Sequence, residues 1–277
     1  MAEKKERNKI PKESGKNKKS RRFFRLIFIL LGMMVWVAAS VIAAQFLVGY
    51  VLVWIVGPEK LNQPVWTAVY SALSYVIAMV LIIFVPILIK RRKTKDGAKK
   101  VGEKEVLEVT RNSLGLRGMP KWVDIGLAPV GFIVYLLIAA GLVALFTCFP
   151  WFDAEEAQEV GFSVYVAGID RVIAFITLVV VAPIAEEIIF RGWLYDKMRT
   201  KLSENVSEKL SIGISIFLVS LLFGIVHLQW NVGVNVFAMS IVLCGLREIT
   251  GTIYSGILLH MLKNGIAFYL LYVLGIG

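Results

Sequence analysis

The sequence predicts an all-α fold, a polytopic transmembrane helical bundle of about seven membrane helices plus interfacial segments, and three observations predict it. The 277 residues are 57% hydrophobic and have a mean hydropathy of +0.72, more apolar than a water-soluble domain of this size. Apolar segments long enough to cross about 30 Å of hydrocarbon are separated by charged loops. None of them has the alternating pattern of a barrel strand, so backbone groups in the lipid have to be satisfied inside helices.

The elements follow in order. Residues 1–25 hold eleven Lys and Arg against three acids and nothing that could form a core. They read as a disordered cytoplasmic arm, bounded at residue 22, that lies on anionic lipid or acts as a plain topology signal. Phe23 to Gly57 forms helix one. This run is too long for a signal-peptide core and lacks a small-residue cleavage site, so it is retained. Pro58 and Asn62-Gln63-Pro64 mark a turn, and Val65 to Ile89 brings the chain back inside. Residues 90–121 carry eleven basic and four acidic residues. Their last part, Ser113 to Trp122, reads as interfacial, with its Leu and Trp side chains in the headgroups. The first two helices and this loop make up residues 23–121.

A membrane core occupies residues 122–277. Helix three runs from Trp122 to Phe149 and is closed by Pro150. The following loop, 151–170, has five acids and no Lys or Arg, which places it outside. Helix four starts near Arg171 and runs inward through Pro183 to Arg191. Residues 192–209 are polar and expected outside the bilayer on the cytoplasmic side. Leu210–His227, Val232–Leu246 and Ile253–Leu274 give helices five to seven. The net charge of +11 sits mostly beside membrane segments, where topology accounts for it, so nucleic acid is not an expected partner. Cys148 and Cys244 show no metal spacing and read as small hydrophobes.

Chemistry concentrates in the last hundred residues. Glu186 and Glu187 follow an apolar run, Val172 to Ala185, without one ionisable side chain. Such a pair needs partners or a polar cavity in a membrane. Glu187 and Arg191 are four apart and share a helix face, whereas Glu186 is turned about 100° away and has no local partner. The only two histidines, His227 and His260, lie in other apolar segments, and His260 shares a face with Asn264. Glu186 precedes residue 206 by twenty positions and His227 follows it by twenty-one. A hairpin of helices four and five turning there sets the two at one level, provided helix four continues past Arg191 or the loop folds back.

Two chemistries fit these groups. In one, Glu186 and His227 take a proton from water while His260 and Asn264 donate to a developing oxyanion, giving acyl hydrolysis without a covalent intermediate. In the other, Glu186, His227 and His260 hold zinc with a fourth position open. Ser240 and Ser255 have no adjacent base in sequence. A proton relay in a transporter would also use intramembrane carboxylates, although inverted repeats and broken helix pairs are not evident.

The motifs Glu186-Glu187-Ile-Ile-Phe-Arg191, Phe223-Gly-Ile-Val-His227 and His260-Met-Leu-Lys-Asn264 together resemble those of the CPBP intramembrane endopeptidases, which include type II CAAX prenyl proteases and bacteriocin-processing or self-immunity proteins. The resemblance covers roughly residues 122–275. It implies an endopeptidase in which Glu186 and His227 activate water, His260 and Asn264 form the oxyanion site, and Glu187 and Arg191 hold the geometry. It implies no cofactor, with zinc as second choice, and a membrane protein or peptide as substrate. A non-catalytic immunity or scaffold protein with this fold is the rival from another class. The expected location is a bacterial plasma membrane, multi-pass, with the N-terminus cytoplasmic.

Overall fold

The computed structural model describes residues 15–88, 111–112, 114–154, 162 and 167–275. The start of the basic arm, most of the basic loop and much of the acidic loop lie outside the described residues. Among the described residues there is no strand, and seven helices are long and apolar enough to cross a membrane. They are α1 (Gly15–Val56), α2 (Pro64–Leu88), α3 (Trp122–Phe146), α4 (Gly168–Ser203), α5 (Glu208–Ile225), α6 (Trp230–Thr250) and α7 (Tyr254–Leu274). The chain is an all-helical, multi-pass membrane protein.

Helix ends fall within a few residues of expectation for most spans; α1 begins earlier and α6 extends beyond both expected ends. The larger correction concerns α4. The polar stretch after Arg191 is not a loop: the helix runs on to Ser203 and turns directly into α5. Its polar residues are held by partners on neighbouring helices. Tyr195 donates to Glu248 at 2.8 Å, and Arg199 reaches Ser211 at 2.8 Å, Glu208 at 3.1 Å and Glu248 at 3.3 Å. Polarity alone does not end a helix when its side chains find such partners.

Helix α6 packs against α5 and α3, α7 against α3, α1 against α2, and α2 along the first half of α4. Small residues allow the close approaches, as they do where lipid gives helices no hydrophobic reason to associate. A Cβ on Gly224 of α5 would lie 2.9 Å from the Gly233 carbonyl oxygen of α6, and one on Gly131 of α3 would lie 2.6 Å from Leu259 of α7. The buried centre holds Ile189, Leu194, Met198, Phe223, Met239 and Leu243.

The segment expected in the headgroups is split in the structure. Trp122 is exposed, but Leu114 is buried against α4, where a Cβ on Gly192 would meet its carbonyl oxygen at 2.8 Å. Ile253 N donates to Gly115 O at 3.1 Å and the Tyr254 hydroxyl to Gly118 O at 3.0 Å. The segment is thus fastened to the α6–α7 turn by protein contacts.

Candidate active site

Helix α4 changes winding around its carboxylates. It is π-helical over Ile176–Val181, α-helical over Ala182–Glu187, and π-helical again over Ile188–Tyr195. Pro183 explains part of this. In the first π stretch Ala182 N donates to Thr177 O, five residues back, so the next bond in that series would run from residue 183 to Leu178 O. Proline has no N–H. The orphaned carbonyl is filled from another helix: Asn264 Nδ2 of α7 donates to Leu178 O at 2.9 Å. A buried carbonyl without a partner would be costly in a membrane, so the amide ties α7 to α4 at the break.

Glu187 and Arg191 pair as their spacing requires. Arg191 Nη1 donates to Glu187 Oε1 at 2.9 Å, and both side chains are fully buried. The guanidinium also lies 4.3 Å from the ring centroid of Phe223 on α5, close enough for a cation–π contact. The same Glu187 oxygen takes His260 Nδ1 at 3.1 Å. As a carboxylate accepts only, that contact makes Nδ1 the donor and turns Nε2 toward Glu186, whose Oε2 is 3.8 Å away.

Glu186, which has no partner on its own helix, finds one on another. The hydroxyl of Tyr75 on α2 donates to its Oε1 at 2.6 Å. Four-residue spacing identifies partners along one helix and is blind to a residue 111 positions away.

His227 lies in the short connection after α5. That helix stops at Ile225, and Leu228 takes a left-handed φ of 58° while exposing 90% of its surface. A non-glycine residue there costs roughly 1–2 kcal/mol. The turn keeps the His227 ring beside its own helix: Nδ1 lies 2.7 Å from Phe223 O, where it must donate, so Nε2 carries the lone pair. The His227 and His260 rings meet Phe223 edge-on, at centroid distances of 5.0 and 6.0 Å. Fully buried Phe223 therefore spaces the two imidazoles and supports Arg191. Its place in a motif was visible in the sequence, but these contacts were not. An apolar groove of about 480 Å³ lies between α5 and α6, lined by Phe217, Leu221, Gly224, Trp230 and Phe237 among others, and none of the six candidate residues lines it.

The six expected residues thus divide into two groups. Glu186, Glu187, Arg191 and His260 form a connected cluster. His227 joins it across Phe223, and Asn264 joins α4 about two turns earlier, at Leu178. Among the described residues no three His, Cys, Asp or Glu side chains lie close enough to hold a metal ion, so Glu186, His227 and His260 are not gathered as a ligand set. Ser255 is buried and donates to Asp124 at 2.6 Å, a tie between α7 and α3.

Residues 168–266 match the family model described as type II CAAX prenyl endopeptidase, Rce1-like. The match runs from the start of α4 to Ile266 on α7 and includes all six residues. No curated protein and no solved structure matches the chain significantly.

Proposed function

We propose, from the likeness of residues 168–266 to the family model of type II CAAX prenyl endopeptidases, that this chain hydrolyses a peptide bond of a membrane-associated or lipidated protein or peptide with water activated by Glu186 and His227. One observation carries the reading: the 3.8 Å between Glu186 Oε2 and His260 Nε2. That separation is too long for a direct hydrogen bond, and an oxygen set to one side of the line between the two atoms lies within reach of both.

In this reading Glu186, with 17% of its side chain exposed, takes a proton from the water as its oxygen attacks the scissile carbonyl. His227 presents an Nε2 lone pair to the same proton path. The oxyanion is met by His260 Nε2 when that nitrogen carries a proton, and by the second amide hydrogen of Asn264, the first being held by Leu178 O. The proton then passes to the leaving amine as the C–N bond breaks. Glu187 and Arg191 hold the His260 ring. The charge asymmetry of the loops supports a cytoplasmic N-terminus in a plasma membrane.

The experiment is cleavage of a membrane-peptide library by the purified protein, with Glu186→Gln and His227→Ala beside it. Hydrolysis by the unaltered protein, abolished by each substitution and insensitive to prolonged chelation, is the expected result. Equal cleavage by all three proteins sinks the mechanism, no cleavage by any favours the scaffold reading, and loss on chelation favours a zinc enzyme.

A further inference from the structure

We propose that Tyr75 is a positioning residue of the active site, which orients Glu186 by binding one of its two carboxylate oxygens so that the other faces the water. The proposal rests on the reading of Glu186 as the base. It extends the site to α2, outside the matched residues 168–266.

Three observations support it. The Tyr75 hydroxyl lies 2.6 Å from Glu186 Oε1, within the short range of hydrogen bonds from a hydroxyl to a charged oxygen. The contact has a rigid base, because α2 packs along α4 over both the first π stretch and the carboxylate turn, with Ser74 and Ala78 buried on either side of Tyr75. The geometry also divides the carboxylate. With Oε1 engaged by the phenol, Oε2 is the oxygen that faces His260 Nε2.

A carboxylate on a glutamate side chain rotates unless something holds it. Glu187 is held by Arg191 and His260 from the matched segment itself. For Glu186 the hydrogen bond comes from Tyr75, outside that segment. Near-attack placement of the base is worth large factors in rate, and an oxygen turned away from the water contributes nothing. A tyrosine filling space at a helix contact would need only its ring; an orienting one needs its O–H.

The test separates ring from hydroxyl. Tyr75→Phe, and para-fluorophenylalanine placed at the same position, keep the shape and remove the donor, whereas meta-fluorotyrosine keeps both. In the cleavage assay the first two lower kcat by about ten- to a hundredfold, the range set by one hydrogen bond to a charged group, with KM changed by less than about twofold. Meta-fluorotyrosine stays within about threefold of the natural protein. Normal kcat for Tyr75→Phe beside an inactive Glu186→Gln overturns the role of Tyr75 and leaves the base in place. Full activity of Glu186→Gln removes the base, and this proposal with it. Should Tyr75→Phe fail to fold, the two fluorinated variants decide: equal kcat in both overturns the proposal.

Discussion

The buried pair Glu187–Arg191 should behave as a unit whose halves cannot be removed separately. Both side chains are fully buried and 2.9 Å apart, and Arg191 also rests on Phe223 at 4.3 Å. Arg191→Met leaves the Glu187 carboxylate with His260 as its remaining partner. Breaking one side of a buried pair costs about 3–5 kcal/mol, and the lost cation–π contact adds up to about 2 kcal/mol. Glu187→Gln strands the guanidinium but keeps an acceptor, so its cost is smaller, about 2–3 kcal/mol. The double variant carries no buried charge at these positions and should lie below the sum of the singles by about 2 kcal/mol. Unfolding in mixed micelles by increasing SDS fraction, followed by circular dichroism, measures all four corners of the cycle. Additivity within about 0.5 kcal/mol would show that the two charges do not stabilise each other, and the account of this cluster would be wrong.

Two further outcomes follow from the same contacts. Ser255→Ala should lose about 1.5–3 kcal/mol of stability through its bond to Asp124 while the cleavage rate per folded molecule stays within about twofold; loss of all turnover would make Ser255 a nucleophile. Asn264→Leu should cost about 1–3 kcal/mol in the natural background and about 1 kcal/mol less when combined with Pro183→Ala, since alanine restores an N–H for Leu178 O. An unchanged cost would show that the proline does not create the need for the amide.

Much of the bundle was legible because lipid imposes a simple rule on sequence: long apolar runs with charge at their ends. The Glu187–Arg191 pair was legible for a similar reason, as both residues lie on one helix and their spacing fixes their direction. Tyr75 was not. Its polarity is unremarkable on a membrane helix, and its significance depends on which helix lies opposite. Asn264 was visible as a polar residue in an apolar span, but its bond to Leu178 O depends on a winding change that no periodicity discloses. The end of α4 was misread because Lys197, Arg199 and Lys201 look like loop residues until Asp196, Glu208, Glu248 and Glu204 are placed beside them.

That correction decides how α4 leads into α5. The sequence allowed either a fold-back of the loop or a continuation of helix four, and the continuation to Ser203 is what occurs. With α4 and α5 joined by a short turn at 204–207, Arg191 and Phe190 both reach Phe223, and the Phe190 and Phe223 rings meet at 4.9 Å. Four residues beyond Phe223, just past the end of α5, lies His227, and one turn back along α4 from Arg191 lies Glu187. The polar extension of α4 is therefore part of what builds the site: had the helix stopped at Arg191, α5 would have entered at a different height and Phe223 would not stand between the two imidazoles.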